Sequence, residues 1–313
     1  LKDVLAVLPD SMKCLVADYP EAKQAQIEEI RIRLNQPLEF IVNGRPEYPL
    51  MYGRPYVVSS EDGAQLINQL SHFSLYALEE ELKQGYITIR GGHRVGLAGK
   101  VITEKGTVKA IRDISSYNIR IARAKTGVAD SLVPYLFASG RWLNTLIIGA
   151  PQTGKTTMLR DLTRIVSMGV EPKAIPSKKV GIVDERSEIA GCVKGIPQHP
   201  LGKRVDVLDA CPKAEGMMML IRSMSPEVLI VDEIGRKEDS EAILEAMNAG
   251  VVMMMTAHGF SLESVMKRPT ILKLIEMELF DRYVELTRLN GPGTVRTIYN
   301  SKLENITESR LRR

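Results

Sequence analysis

Positions 149 to 157 read Gly149-Ala150-Pro151-Gln152-Thr153-Gly154-Lys155-Thr156-Thr157, two glycines separated by four residues and followed at once by a lysine and two threonines. Glycines let backbone amides approach an anion closely, a lysine adds a mobile cation, and a hydroxyl is a hard oxygen ligand for a divalent cation. This is the P-loop, or Walker A, pattern, which grips the phosphates of a nucleoside triphosphate. In that chemistry the loop amides and the positive end of the following helix face the phosphates. Lys155 reaches the β and γ groups, and Thr156 ligates Mg²⁺.

A second constellation points from binding to hydrolysis. Val228-Leu229-Ile230-Val231 is an apolar run ending in Asp232-Glu233, the Walker B arrangement in which the Asp holds Mg²⁺ and the Glu orients the attacking water. Neither Asn-Lys-x-Asp nor Thr-Lys-x-Asp, the guanine signatures, occurs, which favours ATP. Two more polar clusters end apolar runs, Asp184-Glu185-Arg186 after 181–183 and Thr256-Ala257-His258-Gly259 after 251–255. In an open parallel sheet, ligands bind beyond the carboxyl ends of the strands. Asp184, Glu185, Thr256 and His258 are therefore all expected to project toward the phosphates, with Glu185 the next candidate for catalysis after Glu233. For His258 the choice lies between a γ-phosphate or subunit-interface role and a structural hydrogen bond. The four histidines suggest no metal cluster.

The elements that must position these residues are legible around them. Residues 144–148 suit a buried parallel strand, and Met158, Leu159, Leu162, Ile165 and Val166 recur at helical spacing after the loop, giving strand, Gly-rich loop and helix in the order the motif requires. Between Thr157 and Asp232 there is room for that helix, a further strand over 179–184, a loop and a helix over about 214–222. A strand is thus expected between the P-loop strand and the Walker B strand, as in ATP-driven motors. Residues 238–249 read as another helix. The triplets Met217-Met218-Met219 and Met253-Met254-Met255 read as core filling and not as a soft metal site. The stretch 185–212, with Gly191, Gly195, Pro197, Pro200 and Gly202, is too long for an ordinary connection and is expected to be a functional loop or a subunit interface, where Lys203-Arg204 could meet phosphate or a partner.

The N-terminal half has a different texture. Residues 1–25 suggest short helices broken at Pro9 and Pro20. Residues 28–34 alternate polar with apolar like a half-buried strand, Asn35-Gln36-Pro37 turns the chain into 38–42, and Asn43-Gly44 turns it again. Ser59 or Ser60 can cap a helix with an apolar face of Leu66, Ile67, Leu70 and Phe73, and 75–83 continues helical until Gly85. A hairpin is expected with strands over 86–90 and 94–102 around Gly91-Gly92-His93. Lys125-Thr126-Gly127 reads as a linker, which divides the chain into an N-terminal α+β domain over 1–125 and an ATPase domain over 126–313.

With 313 residues, 42 Lys and Arg against 38 Asp and Glu, and a net charge of +4, the chain suits two domains. Its charge balance permits a membrane surface or nucleic acid as partner without demanding either. No apolar run approaches the roughly 18 residues that span a bilayer. With no signal-peptide pattern and three cysteines outside any C-x-x-C pair, a cytoplasmic protein with reduced thiols is expected.

Four boxes in order resemble the secretion ATPase superfamily: Walker A at 149–157, an acidic box at Asp184-Glu185, Walker B with its flanks at 225–236, and a His box at His258. More narrowly, residues 146–161 and the wording Val183-Asp-Glu-Arg-Ser-Glu-Ile-Ala-Gly191 are similar to the stage III sporulation protein AA family over nearly the whole chain. The resemblance implies an α/β fold with a RecA-like P-loop ATPase core and a smaller N-terminal α+β domain. It implies ATP and Mg²⁺ as cofactors and a homohexameric ring in which the N-terminal domain covers a neighbour's nucleotide. Arg112, Arg120 and Arg123 are then candidates for arginines acting in trans, against the alternative of a solvated or salt-bridged strand face. The implied setting is the mother cell of a sporulating bacterium, at the inner face of a membrane, with membrane proteins of a channel or secretion complex as partners. One departure is Asp232, where secretion motors often carry Gly before the catalytic Glu. The competing reading is a nucleic-acid-stimulated ATPase of the RecA or helicase type, using a basic hairpin of Arg90, His93, Arg94 and Lys100. Sparse aromatics, with none interleaved among basic residues, speak against it. A third reading is an assembly protein gated by ATP binding that barely hydrolyses it.

Overall fold

Two prolines open the N-terminal structure as helix starters, since a missing N–H costs nothing where no intrahelical partner exists. Pro9 and Pro20 precede helices α2 (Asp10–Ala17) and α3 (Glu21–Gln24), after α1 (Lys2–Val7). The computed structural model describes all residues except 72–78, 105, 124 and 308–313. Phe73 and the opening of the helix expected over 75–83 lie outside the described residues. The chain divides into Leu1–Arg123 and Ala124–Arg313.

In the first unit, strands β1 (Ile27–Arg33), β2 (Glu39–Val42) and β3 (Arg45–Glu47) are followed by a small hairpin, β4 (Leu50–Met51) and β5 (Arg54–Pro55). Helices α4 (Ser60–Leu70) and α5 (Glu79–Gln84) come next, then β6 (Tyr86–Ile89), β7 (His93–Glu104) and β8 (Thr107–Arg120). Six strands form an antiparallel sheet in the order β3-β2-β1-β8-β7-β6. Alternation in β1 buries Ile30 and Ile32 beside Phe40, Val95 and Ile119, and Val4, Leu8, Met12 and Leu66 of the helices close that core. The hairpin expected at Gly91-Gly92 forms, while β8, its long further partner, was not anticipated.

Ser59 caps α4 in a reciprocal box with Asp62. Asp62 is buried and accepts from Ser11 Oγ at 2.7 Å, Tyr56 Oη at 2.7 Å, and the N–H and Oγ of Ser59 at 2.8 Å each.

The second unit is built on a seven-stranded sheet. After α6 (Val133–Leu136) and the hairpin β9 (Phe137–Ala138) and β10 (Arg141–Trp142) come β11 (Thr145–Gly149), α7 (Lys155–Met168), β12 (Val180–Asp184), β13 (Val205–Asp209) and α8 (Lys213–Met224). The chain continues through β14 (Val228–Val231), α9 (Lys237–Asn248), β15 (Val252–His258), α10 (Leu262–Met266), α11 (Pro269–Glu276), β16 (Arg282–Thr287) and β17 (Thr294–Asn300). The order is β13-β12-β14-β15-β11-β16-β17, parallel except for β17. Period-two alternation sends Ile147, Ile182, Ile230 and Met254 into one apolar layer with α7, and Leu146, Val183, Leu229, Met253 and Met255 into another with α8, α9 and α11.

Three expectations change. A strand does separate the P-loop strand from the Walker B strand, but it is β15; the 179–184 strand lies on the far side of β14. Right-handed crossovers allow a later strand to enter between earlier ones, which sequence spacing alone cannot order. The stretch 185–212 contains an edge strand, β13, whose residues are all half-buried and so lack the apolar signature of a central strand. Of Met217, Met218 and Met219 only Met217 is fully buried, and Met219 is exposed. Among the described residues no helix is long and apolar enough to cross a membrane.

Burial favours the neutral form of Asp62, but the bonds from Ser11, Tyr56 and Ser59 outweigh it and hold the carboxyl below its usual range. A depressed carboxyl stabilises the fold above its unfolded pKa, and that stability is lost as pH falls through the folded value. Asp62→Ala is expected to lower the unfolding free energy by about 2–3 kcal/mol at neutral pH. Urea denaturation checks this, with the difference between variant and wild type shrinking below about pH 4.

Candidate functional site

The P-loop leaves β11 at Gly149 and enters α7 at Lys155, and its conformation follows from its glycines. Gly154 caps the helix in a left-handed conformation, φ +90, and a Cβ there would lie 2.6 Å from Gly293 N, so no other residue fits. A Cβ at Gly149 would meet Thr153 Oγ1 at 2.3 Å. Thr153 donates through Oγ1 to Ala150 O at 2.8 Å and accepts from Gly293 N–H at 2.7 Å, while Arg288 Nη1 donates to Gln152 Oε1 at 3.0 Å. The β16–β17 turn thus braces the loop from outside. Its Gly291-Pro292-Gly293 wording was a readable turn signal.

Lys155 is buried, and its Nζ donates to the carbonyls of Gly149 and Ala150 at 2.8 and 3.2 Å. Burial lowers its pKa, against the pull of Glu233, Asp232 and Glu188. The amides at the start of α7 and this ammonium make the loop a positive cradle.

Opposite the cradle, Asp232 and Glu233 follow β14. Thr156 Oγ1 donates to Asp232 Oδ2 at 2.7 Å, and Thr256 Oγ1, from β15, donates to Asp232 Oδ1. Thr256 Oγ1 also accepts the Glu233 N–H at 2.8 Å, and Ile234 N–H donates to Thr256 O at 2.9 Å. These bonds hold Glu233 in a left-handed backbone conformation, φ 52, which turns its carboxylate off the strand direction. A hydroxyl and a carboxylate facing each other are hard oxygen donors that suit Mg²⁺. Residues 149–157, Asp232, Glu233 and Thr256 are therefore brought together. His258 ends β15 beside Gly149 in register, half-buried, with its ring 6.3 Å from that of Phe260.

The acidic box divides. Asp184 lines the cleft beside Asp232 and Glu233, and its buried carboxylate accepts the N–H groups of Glu188, Ile189 and Ala190 at 2.9, 3.0 and 2.8 Å. Arg160, on α7, takes the other side of the same segment, donating to the carbonyls of Ile189 and Glu188 at 2.8 and 2.6 Å. Glu185 pairs with Lys213 and, at 3.5 Å, with Arg236. Burial opposes its ionisation, yet the Lys213 bond with the charges of Lys213, Arg236 and Arg186 keeps its pKa low. Arg186 Nη1 donates to Glu233 Oε2 at 2.6 Å. A cleft lined by Asp184, Glu185, Arg186, Glu188, Lys213, Asp232 and Glu233 results. Arg160 and Lys213 are polar residues on the partly apolar helices α7 and α8, whereas Arg186 and Arg288 stand in turns after β12 and β16, where no local pattern marks them.

In the first unit, Arg112 is exposed, Arg120 lies 3.6 Å from Glu29, and Arg123 Nη2 donates to Ile27 O at 3.0 Å. Two of the three candidate arginines thus carry local structural contacts. The basic hairpin is also partly absorbed: His93 is buried, accepting the Ala122 N–H at 3.0 Å, and Arg94 stacks 3.4 Å from the Tyr86 ring centroid.

Burial pushes the Asp184 carboxyl up to about 6, against the Ala190 and Glu188 bonds and with the help of Asp209 and Asp232. A raised folded pKa contributes stability that is complete below the unfolded value, about 4, and lost as pH rises through about 6. Urea unfolding across that range is expected to show this falling component in the wild type and its absence in Asp184→Asn.

The family model described as sporulation stage III, protein AA, matches residues 2–306. Stage III sporulation protein AA of Bacillus subtilis (strain 168) is 59% identical over 300 residues, 96% of this chain and 95% of that protein. Among solved structures, the Legionella pneumophila ATPase DotB matches with a TM-score of 0.59 at 14% identity, over 97% of this chain and 82% of that one. The pilus retraction motor PilT with bound ADP matches with a TM-score of 0.59 at 15% identity, over 93% and 84%. At these identities the likeness is one of fold alone, an α/β fold with a parallel sheet and an N-terminal domain shared with those two structures. The chain belongs to the sporulation stage III protein AA family.

Proposed function

We propose that the chain is a Mg²⁺-dependent ATPase of the secretion-motor type, acting as a homohexameric ring. The observation that carries this reading is the convergence of Lys155, Thr156, Asp232 and Glu233 at the carboxyl edge of one parallel sheet, with Asp232 bonded to Thr156 and both acids bonded to Thr256. The P-loop amides and Lys155 bind the β and γ phosphates, Lys155 exchanging its carbonyl partners for phosphate oxygens. Thr156 and Asp232 would hold Mg²⁺, which would supply charge neutralisation at the phosphates. Glu233 orients and polarises the attacking water once Arg186 yields its carboxylate, and Glu185, paired with Lys213 and Arg236, supports the wall of the cleft. His258, in register beside Gly149, would meet the γ-phosphate. Positioning and charge neutralisation supply most of the rate enhancement in phosphoryl transfer.

The site is completed by an arginine of the neighbouring subunit's N-terminal domain, over 1–125, acting on the core over 126–313. Arg112 is favoured because Arg120 and Arg123 already have partners near β1. The family supports a sporulation role: driving a channel-like complex between mother cell and forespore from the cytoplasmic face of a membrane, with integral membrane proteins of that complex as partners. Nucleic acid is disfavoured as a partner, since His93 is buried and Arg94 is stacked.

Three variants separate the roles. Lys155→Ala is expected to weaken MgATP binding by at least about 100-fold, read by titration calorimetry. Glu233→Gln should retain MgATP while turnover falls by about 100-fold or more. Thr256→Val, which orphans the Glu233 N–H, should cut turnover by about tenfold, with Thr256→Ser restoring most of it. Near-normal hydrolysis in Glu233→Gln would reject the assignment of that carboxylate.

The shared site has its own test. Specific activity should rise with protein concentration as rings assemble, and mixing Arg112→Ala with Lys155→Ala subunits should restore turnover that neither has alone. Full activity in Arg112→Ala, Arg120→Ala and Arg123→Ala singly would exclude the arrangement.

A further inference from the structure

Lys213 and Arg186 both line the cleft beyond β12 and β14, and they differ in exposure. The Lys213 side chain is 8% exposed and pairs with Glu185, whereas that of Arg186 is 60% exposed and donates through Nη1 to Glu233 Oε2 at 2.6 Å. The backbone that carries Arg186 is held on both sides. Asp184 ends β12, and Val183 before it pairs with Val231, so the turn after β12 stands level with Asp232 and Glu233. Ser187, with φ 52, donates its N–H to Asp184 O at 3.4 Å and its Oγ to Asp209 Oδ1 at 2.6 Å, and Glu188 N–H donates to Asp184 Oδ1 at 2.9 Å. A residue at positive φ persists where its surroundings over-determine it. Arg186 is therefore a long, solvent-accessible arm on a fixed base, reaching across the cleft from the wall opposite Lys155.

The Arg186 guanidinium sits on the carboxylate proposed to polarise the attacking water. With the two joined, the cleft leaves a volume of about 10 Å³, no more than a single water needs. An ion pair exposed to this degree is held weakly. A γ-phosphate carries more negative charge than one carboxylate and offers the guanidinium fork two parallel bonds where Glu233 receives one from Nη1, so it competes well for the arginine. The distance is short, because a water between Glu233 and the γ-phosphate sets those groups two hydrogen bonds apart, roughly 5–6 Å. We propose that Arg186 reads the γ-phosphate of the nucleotide held by its own chain, leaving Glu233 for a phosphate oxygen when a triphosphate is bound and releasing that carboxylate to the attacking water. This role rests on the ATP hydrolysis proposed above and deepens it. Arg186 becomes the residue that tells a nucleoside triphosphate from a diphosphate, and the same movement arms the base.

The test is titration calorimetry of the full chain, in the presence of Mg²⁺, with ADP and with the non-hydrolysable triphosphate adenylyl imidodiphosphate. Arg186→Gln is expected to weaken triphosphate binding by about tenfold, the loss of a charge-assisted hydrogen bond, and to leave ADP binding within about twofold of wild type. Arg186→Lys, which keeps the charge without the fork, should recover part of the triphosphate affinity. Retained ADP binding and unchanged thermal unfolding show that the variants fold. Turnover of ATP by Arg186→Gln should fall by about tenfold or more. Equal losses for the two nucleotides, or undiminished triphosphate affinity, overturn the proposal. In the second case slower turnover would make Arg186 a support for Glu233, and faster turnover would make it a brake alone. Wild-type protein that binds neither nucleotide rejects ATP hydrolysis and this role together, whereas a wild type that binds and hydrolyses ATP beside an Arg186→Gln variant of unaltered selectivity rejects this role alone.

Discussion

One hydroxyl organises the carboxyl edge of the sheet. Thr256 accepts from the Glu233 backbone and donates to the Asp232 carboxylate, so two adjacent acids just after β14 are oriented by a side chain on β15. A non-glycine residue at positive φ costs on the order of 1 kcal/mol or more and persists only when its surroundings over-determine it. The Thr256 and Ile234 bonds provide that surrounding. Without them Glu233 would relax toward an extended conformation and its carboxylate would leave the cleft.

A second constraint acts on the other wall. The segment Glu188, Ile189, Ala190 is held by its amides on Asp184 and by its carbonyls on Arg160, so both edges of an irregular backbone are satisfied inside the protein. Arg160 stands on the helix that begins at Lys155, which links the position of this segment to that of the P-loop. Ion pairs of Glu185 with Lys213 and of Glu233 with Arg186 then set two cations among the carboxylates that line the cleft. The Glu185–Lys213 pair has the least tolerance for loss of one member, since the partner's charge is then left largely buried and unpaired.

Both units show how far local patterns reach. Helices α2 and α3 start at their prolines, α4 at its Ser59 cap, and α7 after Gly154, because caps and turns act over a few residues. The strands β11, β12 and β14 are legible as short apolar runs, being buried on both faces. Edge strand β13 is hidden by its half-buried pattern, and β16 buries four residues in a row with Glu285 among them, so Arg282-Tyr-Val-Glu-Leu-Thr287 shows neither clean alternation nor an unbroken apolar run. In each missed case the strand is marked by its neighbours and not by its own composition.

The sequence by itself determined the nucleotide cradle, because a P-loop is a contiguous stretch whose glycines, lysine and threonine work through their own backbone and the helix they begin. It also placed Asp232 and Glu233 at a strand end, since an apolar run stopping at two acids has few other solutions. Only the tertiary structure decided which strand lies between β11 and β14, that Asp184 serves the 188–190 segment, and that Arg186, Lys213 and Arg288 reach the site. Those outcomes depend on strand order and register, which are set by pairing between distant parts of the chain. A shift of one residue in that pairing would turn every side chain on the strand to the opposite face.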